Sequence, residues 1–103
     1  MEESQLYGVV GKMTAVPGKR DALIAILAEG TDAMPGCLAY IIAEDVKDAE
    51  GIWVTEIWKT RQYHHDALKL PAVIDAIARG RPLIAGFEIN AETRPVAGVG
   101  ING

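Results

Sequence analysis

The chain has 103 residues, half of them hydrophobic, and a formal net charge of −4 from 10 basic and 14 acidic side chains. This length and composition predict one domain with a single apolar core. An acidic balance argues against nucleic-acid binding, which needs a basic surface. The sequence contains no run of about 18 apolar residues, so no membrane-spanning segment is predicted. The acidic start, MEESQLYG, lacks the features of a secretory signal, so we expect a cytoplasmic protein.

The first predicted elements are a strand and a helix. The segment QLYGVVGKMTAV, residues 5–16, is rich in valine and carries apolar residues on both faces of a strand. A PGK turn ends this strand. Leu23, Ile26 and Leu27 then follow the i, i+3, i+4 spacing of an amphipathic helix, which ends at the motif PGC.

A hairpin and a second helical region are predicted next. The segment CLAYIIAEDV, residues 37–46, is again apolar on both faces, and IWVTEIWKT, residues 52–60, is rich in β-branched and aromatic residues. The short polar turn KDAEG between them predicts an antiparallel hairpin. Helical spacing then begins near Arg61, is interrupted at Pro71 and ends at Gly80.

A last strand is predicted in RPLIAGFEIN, residues 81–90, after a short helical turn. The element order βαββαβ predicts a ferredoxin-like α+β fold with an antiparallel sheet. One domain would span residues 1–103, with a core of about residues 6–90. The Gly-rich residues 91–103 are predicted to form a C-terminal arm that either packs on a partner subunit or folds back.

The second face of the predicted sheet is apolar and must be buried against another surface. Two helices cover only one face of a four-stranded sheet, yet the predicted strands are apolar on both faces. We therefore expect a homodimer in which a second copy buries the other face about a two-fold axis. The alternative is a monomer whose tail folds over that face.

The candidate site lies where the third strand meets the second helical region. Trp58 and Glu56 share one face of the strand, and His64 falls on the inward stripe of the helix together with Leu68. A neutral histidine there could take a proton from a phenol or an enol. The tryptophan would supply an aromatic wall and an N–H donor. Glu56 is interpreted as a structural carboxylate paired with a backbone N–H or an arginine.

Further substrate contacts are predicted for Tyr7, Tyr40, Leu68 and His65. Each has a structural alternative. The two tyrosines could fill the core, and His65, about 100° around the helix from its neighbour, could face water or the edge of a dimer. In the same way, His64 could have both ring nitrogens satisfied by backbone or water.

No metal site is predicted. The adjacent histidines point to different faces of a helix, whereas useful ligand pairs are three or four residues apart. Cys37 is alone, which excludes an internal disulfide and the cysteine-based zinc motifs. The glycines do not have the spacing of a phosphate-binding loop.

Three motifs in order resemble the antibiotic biosynthesis monooxygenase family, in its quinol monooxygenase-like group. They are PGK before the first helix, PGC before the second strand and E-x-W at the end of the third, and the resemblance covers about residues 6–90. It implies a dimeric α+β barrel that oxidises flat phenols or quinols with dioxygen and without flavin or metal. It also implies that Trp58 is the pocket tryptophan and that His64 occupies the position of a polar pocket residue.

We therefore expect a cofactor-independent, homodimeric monooxygenase that acts on a small aromatic quinol or a polyketide-like phenol. His64 would be the base or hydrogen-bond partner, and Trp58 would form the cavity wall. Two alternatives remain open. One is a cofactorless isomerase or hydrolase-like enzyme that uses the same cavity for a small carbonyl metabolite, and the other is a non-catalytic, ligand-binding dimeric module.

Overall fold

A computed structural model describes residues 5–100 and confirms the predicted ferredoxin-like α+β fold. A 3₁₀ turn, Arg81–Leu83, precedes the last strand. The elements, in chain order, are β1 (Tyr7–Ala15), α1 (Arg20–Gly30), β2 (Cys37–Glu44), β3 (Gly51–Trp58), α2 (Arg61–Ala67), α3 (Pro71–Gly80) and β4 (Ile84–Thr93). No helix within residues 5–100 has the length and hydropathy needed to cross a membrane.

The four strands form one antiparallel sheet in the order β2-β3-β1-β4. In the central pair Tyr7 lies opposite Trp58 and Val9 opposite Glu56, while on the other side of β3 Tyr40 lies opposite Glu56. Residues that lie opposite each other in such a pair share a face of the sheet. These five residues therefore define one face, which we call the helix face.

The helix face and α1 build the core. Ala15, Leu23 and Ile52 are completely buried and form one cluster with Val54. Of the predicted stripe on α1, Leu23 lies in this cluster and Leu27 packs against it, whereas the third α1 residue packed there is Ile24 rather than Ile26. Full burial of a leucine contributes about 1.5–3 kcal/mol, so Leu23 helps to anchor α1.

The other face of the sheet, the open face, is accessible in the single chain. It carries Val10, Ile41, Trp53, Ile57 and Ile89, as the strand register dictates. Ile41 is 56% exposed. Near one end of this face Pro95 approaches Gly8, since a Cβ added to that glycine would contact the proline ring.

The second helical region differs from the predicted stripe at one position. α2 begins after Thr60, whose side chain accepts a hydrogen bond from the backbone N–H of Tyr63, and ends at Ala67. The expectation that Leu68 points inward is wrong, because its side chain, just after the end of α2, is 47% exposed. Pro71 begins α3, where its missing N–H costs no helical hydrogen bond.

The turn before β2 is packed directly under α2. Gly36 has a φ of +77°, which favours glycine, and a Cβ there would collide with the ring of Tyr63. The carbonyl of Gly36 also accepts a 2.9 Å hydrogen bond from the N–H of Lys59, just after β3. The PGC motif thus joins the start of β2, the end of β3 and α2 at one end of the sheet.

We expect Gly36→Ala to destabilise the protein more than Gly18→Ala. Gly18 has a φ of +79° but nothing within 4 Å of its Cβ position, so alanine there costs only backbone strain, about 1–2 kcal/mol. Alanine at 36 adds overpacking against Tyr63, about 1–3 kcal/mol more. Urea denaturation of both variants measures the difference. Equal losses of unfolding free energy in the two variants would contradict the close contact between Gly36 and Tyr63. When Tyr63→Ala is already present, Gly36→Ala should cost no more than Gly18→Ala.

Candidate active site

The strand register brings the chemically useful side chains to one end of the helix face. One row crosses β2, β3 and β1 and consists of Cys37, Trp58 and Tyr7. The next row crosses all four strands and consists of Tyr40, Glu56, Val9 and Glu92. These two rows and the side chains that α2 adds to them are the candidate site.

Glu56 is the carboxylate at the centre of the site. Its side chain is only 14% exposed. One oxygen, Oε1, accepts a 3.0 Å hydrogen bond from Nε1 of Trp58, whose exposure is 1%. The expected partner, a backbone N–H or an arginine, is wrong, because the indole takes that place. The apolar neighbours of Glu56 on β3 are the signal in the sequence that indicates its burial, and a buried carboxyl group is a candidate for a functional role.

His64 is the group that α2 adds beside this carboxylate. Nε2 of the imidazole lies 3.8 Å from Oε1 of Glu56, and the side chain is 24% exposed. Its ring meets Trp58 edge-on, with centroids 5.5 Å apart, and Tyr7 at a tilt, with centroids 5.2 Å apart. The imidazole is thus held by two aromatic rings while one side remains open to solvent.

Burial changes the pKa of both ionisable groups. Desolvation raises the pKa of Glu56, and the hydrogen bond from Trp58 opposes that change. Desolvation also lowers the pKa of His64, against the opposing charge of Glu92. A histidine with a lowered pKa is neutral at pH 7 and keeps a nitrogen lone pair that can accept a proton.

Tyr7, Arg61 and Glu92 lie at the solvent side of this group. The guanidinium of Arg61 is 5.9 Å from the centroid of the Tyr7 ring, and Nη2 lies 3.8 Å from Oε2 of Glu92. Both charged side chains are exposed. Burial raises the pKa of Tyr7, and the negative charge of Glu92 raises it further, so the phenol remains protonated near neutral pH.

Tyr40 and Cys37 lie on the opposite side of Glu56. Desolvation and then the charge of Glu56 raise the pKa of Tyr40, so its hydroxyl is a hydrogen-bond donor at neutral pH. Burial also raises the pKa of the Cys37 thiol, which donates to the carbonyl of Ala39 at 3.4 Å. A thiol with a raised pKa is a poor nucleophile, so Cys37 does not have the environment of a catalytic cysteine.

A cavity of about 310 Å³ adjoins these two residues. We call it the β2 cavity, because its lining comes from the start of β2 and from the chain that precedes it. Besides Tyr40 and Cys37, the lining includes Thr31, Asp32 and Met34.

The structure gathers most of the predicted site residues but not all of them. Tyr7, Tyr40, Trp58 and His64 surround Glu56 as described above. The side chains of His65 and Leu68 are exposed instead. Within residues 5–100, no three His, Cys, Asp or Glu side chains form a group that could hold a metal ion.

Comparison with known proteins assigns the chain to a family. The model of the family described as antibiotic biosynthesis monooxygenase matches residues 6–79. A solved structure from Chloroflexus aurantiacus, named as a candidate member of that family, is 57% identical over 94% of this chain and 99% of its own, with a TM-score of 0.91. No curated protein sequence matches the chain.

Two more distant solved structures have the same fold. A candidate antibiotic biosynthesis monooxygenase from Nitrosomonas europaea is 14% identical, and the match covers 100% of this chain and 99% of that one, with a TM-score of 0.81. A protein from Pseudomonas aeruginosa is 21% identical, with 94% and 100% covered and a TM-score of 0.79. At these identities the likeness extends to the fold alone.

We expect Trp58→Phe to raise the pKa of Glu56 further. The variant keeps an aromatic ring in the core but removes the hydrogen bond that stabilises the charged carboxylate. Titration of the Glu56 carboxyl carbon by ¹³C NMR measures the change. An unchanged pKa would mean that the indole does not stabilise the carboxylate.

Trp53→Phe is the matched control, because a second indole–carboxylate pair lies on the open face. Nε1 of Trp53 donates to Oδ2 of Asp45 at 2.8 Å, and this bond is the main cause that lowers the pKa of Asp45 to about 2. Trp53→Phe should raise the pKa of Asp45 and leave that of Glu56 unchanged.

Proposed function

The chain belongs to the antibiotic biosynthesis monooxygenase family, and from this membership and the geometry of the site we propose that it is a cofactor-independent monooxygenase. The substrate is a small aromatic quinol, and the oxidant is dioxygen. The observation that carries the proposal is the partly exposed imidazole of His64, 3.8 Å from the buried carboxyl group of Glu56 and with a pKa that desolvation lowers.

His64 is the base that takes the proton from a hydroxyl group of the quinol. Its lone pair is available because desolvation keeps the pKa of the imidazole low. After proton transfer the new imidazolium lies 3.8 Å from Oε1 of Glu56, and the ionised form of this carboxyl group stabilises it by charge attraction. The rings of Tyr7 and Trp58 hold the imidazole in place, and they offer apolar edges to a flat substrate.

The oxidation itself needs no electron source other than the substrate. The quinolate gives one electron to dioxygen, and the resulting radical and superoxide combine to form a C–O bond at a ring carbon. The imidazolium of His64 returns its proton to the peroxide. The O–O bond then breaks, the ring carbon loses its hydrogen, and water leaves. The product is a hydroxyquinone with one oxygen atom from dioxygen, and the substrate has supplied all four electrons.

We also propose that the protein acts as a homodimer joined through the open face. Ile41 and Ile89 on the two edge strands, with Val10 and Ile57 between them, form an apolar surface that spans the sheet. A second copy that places the same surface against it would bury both about a two-fold axis. The C-terminal arm would pack on the partner at the edge of that interface.

We expect His64→Ala to reduce kcat for quinol oxidation by about 10²–10⁴, the usual contribution of a general base. Oxygen uptake with a panel of hydroquinones, naphthalenediols and anthrones, without added metal or flavin, measures this loss. His65→Ala is the matched control, because it removes an adjacent imidazole that is exposed. Equal activity of the two variants would refute the role of His64.

The same assay gives a pH dependence with a definite sign. The base works in its neutral form, and its pKa lies below the usual 6.5. We therefore expect kcat/KM to rise with pH through a midpoint below 6.5 and to level off above it. A midpoint above 6.5 would contradict the lowering of the His64 pKa by desolvation.

We expect Ile41→Lys to convert the dimer to a monomer, because a charge within a buried apolar interface costs several kcal/mol. Sedimentation equilibrium measures the mass. Val46→Lys is the control, since Val46 lies outside the strands and is 95% exposed. If wild-type and Ile41→Lys proteins have the same mass, the open face is not the interface.

A further inference from the structure

The β2 cavity adjoins the candidate site without being part of the chemistry described so far. Two of its lining residues, Tyr40 and Cys37, lie directly opposite Glu56 and Trp58 in the β2–β3 register. Side chains in such pairs have Cβ atoms only about 4.5–5.5 Å apart. The cavity is therefore one strand away from the carboxylate at the centre of the site.

His64 and the β2 cavity lie on opposite sides of Glu56. The imidazole packs on Tyr7 of β1 and on Trp58, whereas the cavity lies beyond β3 in the direction of β2. A flat molecule that places one hydroxyl near His64 and extends across Glu56 would direct its far end toward β2, the strand that lines the cavity. The candidate site would thus contact the substrate both at the reacting hydroxyl and at its opposite end.

The lining sets the chemistry of that far end. Asp32 supplies a carboxylate at an exposed position, which accepts hydrogen bonds and repels anions. The hydroxyl of Thr31 donates to the carbonyl of Leu27 at 2.7 Å, so its oxygen remains available as an acceptor. The cavity therefore favours a ligand group that donates hydrogen bonds.

The volume sets the size. Small-molecule sites span about 300–1,000 Å³, and 310 Å³ is at the lower end of that range. This space fits one or two fused rings.

We propose that the β2 cavity binds the end of the substrate remote from the reacting carbon and selects mono- and bicyclic phenols with a second hydroxyl group over those with a carboxylate. Asp32 is the residue that determines this selectivity, by accepting a hydrogen bond from the second hydroxyl. The inference rests on the proposed function for the reaction at His64, but the binding at the cavity is testable without turnover.

Cys37 provides a direct probe of occupancy. It is the one cysteine in the chain and it lines the cavity, so the rate of alkylation by iodoacetamide reports access to that place. Under argon and at about pH 8, where the aromatic hydroxyls of the ligand remain protonated, 2,7-dihydroxynaphthalene should slow alkylation in a saturable way, and the half-protecting concentration gives the affinity. Absence of protection up to the solubility limit of the ligand would overturn the proposal.

Two variants test the role of Asp32. Asp32→Ala should weaken binding of 2,7-dihydroxynaphthalene about ten-fold, the loss of one hydrogen bond to a charged group. It should strengthen binding of 6-hydroxy-2-naphthoate, because the repulsion between two carboxylates is removed. Glu29→Ala is the matched control, because it removes the same charge only three residues before Asp32. The side chain of Glu29 pairs with Arg79 and does not line the cavity. Equal effects of the two variants would overturn the selectivity.

The outcomes separate this inference from the proposed function. Protection of Cys37 without oxygen uptake by any quinol would support the cavity as a binding site and refute the monooxygenase. Oxygen uptake that depends on His64, without protection of Cys37, would refute the cavity and leave the monooxygenase in place.

Discussion

The hydrogen bond from the indole of Trp58 to the carboxylate of Glu56 positions everything else in the candidate site. A carboxylate among apolar neighbours is costly unless a donor satisfies it, and Trp58 is the donor two residues along the same strand. The buried indole also presents its edge to His64. One side chain thus satisfies the carboxylate, fills the core and orients the imidazole.

Each face of the sheet carries a hydrogen-bonded indole–carboxylate pair, and the pKa of the carboxyl group shifts in opposite directions in the two pairs. On the helix face, burial raises the pKa of Glu56 despite its bond to Trp58. On the open face, Asp45 accepts from Trp53 and is also 3.3 Å from the ammonium of Lys12, and its pKa falls to about 2. Apolar surroundings decide the first case, and hydrogen bonds and a cation decide the second. Similar indole–carboxylate pairs therefore have pKa shifts of opposite sign on the two faces.

How much could be predicted depended on whether a property is local or not. Periodicity and turn residues are local, so the element order and the interruption at Pro71 were predicted correctly, whereas α1 ends at Gly30, before the predicted end at the PGC motif. The inward position predicted for Leu68 was wrong, because burial at the end of a helix depends on what packs against it, and α2 ends one residue earlier, at Ala67. The partner of Glu56 was also missed, since several donors were compatible with the sequence.

The sequence by itself determined the βαββαβ order, the family motifs and the placement of Trp58 and Glu56 on one face, because alternation along a strand follows from its geometry alone. It also indicated that His64, rather than His65, points inward. Only the tertiary structure decided that His64 lies beside Glu56 and that Tyr40 and Cys37 connect this carboxylate to a cavity. These contacts join β1, β2, β3 and α2, and they depend on strand order, register and helix docking, which no local pattern encodes.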